Sequence, residues 1–274
     1  MFARCSSDRT TPALQDTSLD LRGASTLTAL GAALLACDLI QRLLIAPMAR
    51  LRPGNRDALL TGWQRFTAHV VIFFLRHMGG VRFGELPDIP ATAGVLVLMN
   101  HQSLLDIPLV VASMHGVYPR IVTRRRYARG VPLISHMTRL YRYPLVDARA
   151  TLRGELNRLG SEAAASTHPL IIYPEGTRSR TGRIGPFKTL GLATILAARR
   201  WSVYVVVADG LWKWTRLGDF FGNLPLMRTR VECRGPFESP GADDDLDGFI
   251  GEMRGVMTEM LGEMRGVPAA VEPA

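Results

Sequence analysis

Short apolar runs alternate with helical stretches along most of this chain, and that alternation predicts a sheet covered by helices. Runs at 94–99, 120–123, 169–173, 202–208 and 227–233 read as strands. Stretches near 104–115, 133–141, 149–165 and 188–200 carry helical spacing between them. Strand and helix in alternation imply an α/β fold with a mixed, largely parallel sheet. Near the C-terminus, Leu246, Phe249, Met253, Val256, Met257, Met260 and Met264 recur at helical spacing after an acidic start, which predicts a helix covering the core.

Before residue 80 the pattern is different. From 26 to 48 the chain is mostly apolar, long enough to cross a bilayer, but Asp38, Gln41 and Arg42 interrupt it. Asp38 and Arg42 are four apart and can pair on one helix face. The expectation is a helix lying in the membrane interface, with a span as the alternative. From 59 to 78, Thr61, Arg65, His69 and Arg76 fall in one stripe and Trp63, Phe66, Val70 and Phe74 lie opposite, as in basic amphipathic anchors. Both helices packing on the domain's own core is the competing reading. The chain thus divides into a leader at 1–22 read as disordered, N-terminal membrane-associating helices at 23–79, a main domain at 80–267 and a tail at 268–274.

Composition narrows the partners. The formal charge of +9 points to something anionic: nucleic acid, an anionic bilayer or a phosphorylated substrate. All of the 33 basic residues except Lys188 and Lys213 are arginine, from which no function follows. The arginines concentrate in two stretches without acidic residues, between Asp106 and Asp147 and between Glu175 and Asp209. No aromatic is interleaved within Arg124, Arg125 and Arg126, which disfavours single-stranded nucleic acid. Three scattered cysteines, with no Cys-x-x-Cys and no histidines at ligand spacing, imply a reducing compartment and no structural metal. Residues 1–22 hold no apolar run of the secretory kind, so the chemistry is expected on the cytosolic side.

Two motifs carry the chemistry. Asn100-His101-Gln102-Ser103-Leu104-Leu105-Asp106 follows the run at 95–99, and Tyr173-Pro174-Glu175-Gly176-Thr177-Arg178-Ser179-Arg180 follows the run ending at residue 173. On an unbroken helix His101 and Asp106 would lie about 140° apart, so contact between them requires His101 in the turn ahead of the helix. A histidine so placed is a general base, and the carboxylate on its other ring nitrogen fixes the tautomer and stabilises the imidazolium. In the second motif Pro174 stops the strand and Gly176 admits a ligand to the backbone. Arg178 offers a planar fork suited to phosphate, Thr177 adds a hydroxyl, and Glu175 is expected to hold Arg178 or a backbone amide in place. In open α/β sheets ligands collect beyond the carboxyl ends of strands, where both motifs fall.

The His-x4-Asp and Pro-Glu-Gly-Thr-Arg patterns, in this order, resemble the glycerolipid acyltransferases, the family containing 1-acyl-glycerol-3-phosphate acyltransferase. Arg124-Arg125-Arg126 with Pro132 and Val146-Asp147 resembles the family's middle motif, with Ser135 where glycine is frequent and Ala148 where arginine is frequent. Residues 203–210 resemble its last block, with Tyr204 and Val206 in place of prolines. The resemblance covers about 81–235. It implies transfer of a fatty acyl group from acyl-CoA or acyl-carrier protein to the free hydroxyl of a lysophospholipid, most readily lysophosphatidic acid, at an anionic membrane and without a cofactor. It also implies that Glu175, Gly176, Thr177, Arg178 and Arg124 to Arg126 contact substrate. Another lyso-lipid acceptor, such as a lyso-aminolipid, and a catalytically silent lipid-binding protein of the same fold are the alternatives. No Gly-x-Ser-x-Gly elbow is present, which disfavours a covalent seryl intermediate. The stretch 182–189 has Phe187 where a phosphate-binding loop needs glycine, and so is not one.

Overall fold

The structure is a computed structural model that describes residues 21–147, 152–214 and 216–266. Except for Leu21 and Arg22, the expected leader lies outside the described residues, as does the tail at 268–274. Ten strands are present among the described residues: β1 Arg82–Phe83, β2 Ile89–Ala91, β3 Val95–Met99, β4 Met114–Gly116, β5 Arg120–Ile121, β6 Thr123–Arg124, β7 Leu145–Val146, β8 Leu170–Ile172, β9 Ser202–Asp209 and β10 Arg228–Glu238. The α-helices are α1 Leu21–Ile40, α2 Ala46–Leu51, α3 Arg56–His77, α4 Asp106–Ser113, α5 Ile134–Leu140, α6 Leu152–Ala164, α7 Thr189–Ala198, α8 Leu217–Gly222 and α9 Leu246–Arg265.

Six strands form one sheet in the order β1-β10-β9-β3-β8-β5. All neighbours are parallel except β10 and β9, so β1 and β10 run against the other four. Every residue of β3 is buried, as expected for a central parallel strand covered on both faces. Val95, Val97 and Met99 face a cluster containing Leu30, Ile72, Leu75 and Leu109, on the side of α1, α3 and α4. Leu96 and Leu98 face Leu192, Ile195, Met253 and Met257, on the side of α7 and α9. The methionine stripe of α9 is therefore core. Asp245 caps that helix by accepting from the Gly248 N–H at 2.8 Å, and Gly266 ends it in the left-handed conformation.

Three boundaries differ from the sequence pattern. The run at 120–123 splits into β5 and β6, because β5 pairs with β8 while β6 leaves the sheet to pair with β7. The helix expected to reach His115 stops at Ser113, and Met114–Gly116 extends to pair with Ile89–Ala91. The last strand runs on to Glu238, across a register shift between Arg234 and Phe237.

The N-terminal helices explain their own polar interruptions. Pro47 has no N–H to give and its ring crowds the carbonyl of Leu43, and the preceding segment Gln41–Ile45 widens to a π-helix. That turn aims the fully buried Gln41 at the domain, where it accepts from the Trp63 indole at 2.9 Å and meets His136 at 2.9 Å. Asp38 pairs with Arg42 at 2.9 Å as the spacing implied, and its other oxygen accepts the Leu133 N–H at 2.9 Å. The polar groups thus bond inward. Outward, the same stretch exposes Leu35, Leu39, Leu43 and Leu44. In α3 the expected greasy face is rotated: Trp63 is buried, Phe66 and Phe73 are exposed, and the face turned to the core includes Gln64. Gln64 can be buried because its amide donates to the Pro119 carbonyl at 3.1 Å and the Tyr143 hydroxyl at 2.6 Å. Each N-terminal helix therefore packs one face on the core and leaves an apolar face open. Both the Leu21–Leu51 and Pro53–His77 segments are long and apolar enough to cross a membrane.

Candidate active site

β3 ends where Asn100 replaces the next rung of the sheet with its own side chain. Its amide donates to the Ala208 carbonyl at 2.9 Å and accepts the Ala208 N–H at 2.8 Å. The chain then turns, and α4 starts at Asp106. Asp106 is fully buried, and its Oδ2 accepts three hydrogen bonds: from the N–H of Gln102 at 2.7 Å, from the N–H of Ser103 at 2.8 Å and from His101 Nδ1 at 2.8 Å. Two backbone donors on one oxygen fix the carboxylate as acceptor. Nδ1 of His101 must then donate, and in the neutral ring that tautomer leaves the lone pair on Nε2. The imidazole is partly exposed, at 18%, so that lone pair can reach a ligand.

The second motif holds this turn in place. Glu175 Oε1 accepts the His101 N–H at 3.0 Å and Oε2 accepts the Gly185 N–H at 2.8 Å. Glu175 thus binds two backbone amides, one of the tasks expected of it. The Ser179 N–H donates to the His101 carbonyl at 2.6 Å, and the Tyr173 ring packs on the imidazole with centroids 4.5 Å apart. A side-chain carbon at Gly185 would come within 2.9 Å of Glu175 Oε2, so a larger residue there would push on that carboxylate. Burial lifts the Glu175 carboxyl above its usual range, although the two N–H donors and His101 oppose the shift. Burial and the neighbouring Asp106 carboxylate likewise push the Tyr173 hydroxyl well above the ordinary phenol range.

The other expected substrate contacts are divided. Gly176 adopts φ +67°, and its carbonyl accepts from Arg124 at 2.5 Å, so Arg124 joins the second motif across 52 residues of sequence. Thr177 and Arg178 are exposed on the same turn. Arg125 instead pairs with Asp147 at 3.1 Å and Glu155 at 3.6 Å, and Arg126 stacks on Tyr127 with its guanidinium 4.7 Å from the ring centroid. The structure brings His101, Asp106, Glu175, Gly176 and Arg124 together, but ties Arg125 and Arg126 to their own neighbours.

Sequence reading missed a further connection. Gln102 donates to Asp209 at 3.3 Å, and Asp209 at the end of β9 is held by Arg265 through contacts of 2.9 and 2.5 Å. Burial alone would raise the Asp209 carboxyl, but Arg265 outweighs it and keeps the group below its usual range. A polar residue ending the apolar run at 202–208 was the only signal available.

A histidine with a buried carboxylate partner and an open Nε2, set beside an arginine-bearing turn, is equipped to deprotonate a hydroxyl next to an anionic group. The comparisons agree with that class of chemistry. Residues 80–208 match the family model described as Acyltransferase. A 1-acyl-sn-glycerol-3-phosphate acyltransferase of Cocos nucifera is 27% identical over 169 residues, covering 60% of this chain and 50% of that protein. The chain thus spans about half the length of that curated relative. The 1-acyl-sn-glycerophosphate (LPA) acyltransferase PlsC from Thermotoga maritima shares the fold, with a TM-score of 0.51 and 17% identity, over 83% of this chain and 98% of that one. The α/β region built on His101 and Glu175 lies within the residues that match that family model. Residues 80–208, just under half of the chain, are thus similar to the acyltransferases.

Proposed function

We propose that the protein transfers a fatty acyl group from a thioester donor, acyl-CoA or acyl-carrier protein, to the free hydroxyl of a lysophospholipid, with 1-acyl-glycerol-3-phosphate as the first acceptor. The observation that carries this reading is the 2.8 Å contact from His101 Nδ1 to the fully buried Asp106, which leaves Nε2 as the acceptor for a proton. Nε2 takes the hydroxyl proton as the oxygen attacks the thioester carbonyl, and Asp106 stabilises the imidazolium. Collapse of the tetrahedral intermediate breaks the carbon–sulfur bond, and the imidazolium returns the proton to the departing sulfur. Arg178, on the turn to which Arg124 is bonded, binds the acceptor's phosphate. The names of the Cocos and Thermotoga proteins support this acceptor over a lyso-aminolipid.

The test is a panel of lyso-lipid acceptors given to the purified protein with each donor. Phosphatidic acid formed from lysophosphatidic acid faster than product from any other acceptor is the expected result. No product with any acceptor would leave the lipid-binding alternative standing.

The same reading places the protein at the cytoplasmic face of the membrane, with the exposed leucines of the N-terminal helices lying in the interface. The inward bonding of Asp38 and Gln41 favours this over a span, since a span would separate them from the domain. Leu39→Glu with Leu43→Glu should abolish flotation with anionic vesicles; undiminished flotation would refute the interfacial placement.

A further inference from the structure

Beyond the His101 site, a cavity of about 500 Å³ opens where β1, β10 and β9 meet. Arg82, Arg228 and Arg230 line it, and Gly210 at φ +109° keeps its floor low, since a side-chain carbon there would fall on the Arg228 carbonyl. Its one acidic lining residue among those described is Asp209, already held by Arg265 and Gln102. The cleft is thus lined by three arginines, of which Arg82 and Arg228 have no carboxylate partner among the described residues, a residue set suited to phosphate.

Its position says which phosphate. β10 begins at Arg228 beside the end of β9, so the cleft lies on the same edge of the sheet as the turn that follows β3. Asp209, in its lining, accepts a hydrogen bond from Gln102, the residue next to His101. β8 and β9 flank β3 on opposite sides, so the second motif and this cleft lie on either side of the base. In the lipid acceptor the phosphate sits close to the reacting hydroxyl, which suits Arg178 beside His101. In a thioester donor a long flexible arm separates phosphate from the reacting carbonyl, which suits a cleft farther along the edge. The strand alternation also turns Arg82, Arg228 and Arg230 away from the face that Val81, Met227 and Val231 share with Leu30 and Leu75. They therefore face away from the N-terminal helices, toward the end of α9, where Arg230 bonds the Met264 carbonyl. A water-borne ligand fits that side better than a bilayer.

We propose that the cleft formed by Arg82, Arg228 and Arg230 binds the phosphate-bearing arm of the acyl donor, on the far side of His101 from the acceptor's phosphate. This rests on the acyl-transfer reading above. The chemistry is shared by CoA and by the phosphopantetheine of acyl-carrier protein, so both serve as probes.

The experiment compares the full-length wild type with Arg82→Ala combined with Arg228→Ala, two exposed positions whose loss leaves the core intact. Calorimetry measures binding of CoA, dephospho-CoA and holo acyl-carrier protein, and turnover gives KM for donor and acceptor separately. The expected result is a rise of about tenfold or more in the dissociation constant and KM of a donor, with the KM for lysophosphatidic acid unchanged. Weakening toward CoA but not dephospho-CoA assigns the cleft to the nucleotide phosphate, and weakening toward the carrier protein assigns it to phosphopantetheine. Turnover with unaltered donor KM in the variant overturns the cleft and leaves the transferase reading intact. Arginine-dependent CoA binding without any turnover has the opposite meaning: the cleft stands and the transfer reading falls. Loss of vesicle binding with unchanged donor affinity, or failure of the wild type to bind either donor, also overturns the proposal.

Discussion

His101 and Arg178 stand beyond the ends of two adjacent parallel strands, yet they differ in exposure. The histidine is fixed at its N–H by Glu175, at its carbonyl by Ser179, at Nδ1 by Asp106 and across its ring by Tyr173. The arginine, just after the turn at 174–177, is exposed. A base works only if it is aimed before the substrate arrives, because misplacement by a fraction of an ångström is lost rate. A clamp for a phosphate can complete its geometry around the ligand. On the proposed function, the contrast separates residues that orient the reaction from those that capture its substrate.

Glu175 is where the contrast breaks most visibly. It belongs to the second motif but serves the first, and its two oxygens each satisfy a backbone N–H. Glu175→Gln keeps the shape and turns an amide donor toward one of those N–H groups. The expected outcome is a stability loss of about 1–3 kcal/mol from the unsatisfied donor, read by chemical denaturation. Turnover should fall by roughly 10²-fold as the turn shifts. Wild-type stability and rate in this variant would mean that the staple is incidental.

A smaller effect sharpens the other half. Arg178→Ala should raise the KM for lysophosphatidic acid by about tenfold. Arg125→Ala should not change it appreciably, because Arg125 is spent on Asp147 and Glu155 at a half-exposed site. Steady-state kinetics on the two variants decides it: equal effects would place Arg125 in the phosphate site and undo the division of the arginine triplet.

How much of this was legible in the sequence varies by element. β3 could be read because five consecutive buried apolar residues end at a polar turn, and the His101–Asp106 spacing demanded the bend that the strand-to-helix turn supplies. β1 and β7 could not be read, since two residues carry no periodicity, and the break between β5 and β6 was hidden inside one apolar run. Met114 continues the apolar pattern of α4, and only pairing with β2 makes it extended, a tertiary preference overriding a local one. Arg124, Arg125 and Arg126 look alike in sequence because their fates depend on partners far along the chain: Gly176 for the first, Glu155 for the second. The Glu175 staple spans 74 residues, and no local pattern encodes that.

The most direct test of the orienting half is turnover of lysophosphatidic acid by His101→Ala beside the wild type, at saturating donor and acceptor. If His101 Nε2 is the proton acceptor, phosphatidic acid formation falls by about 10²- to 10⁴-fold while the protein stays folded and the acceptor KM is little changed. Equal rates from the two forms would show that the base lies elsewhere and that the Asp106 pair is structural.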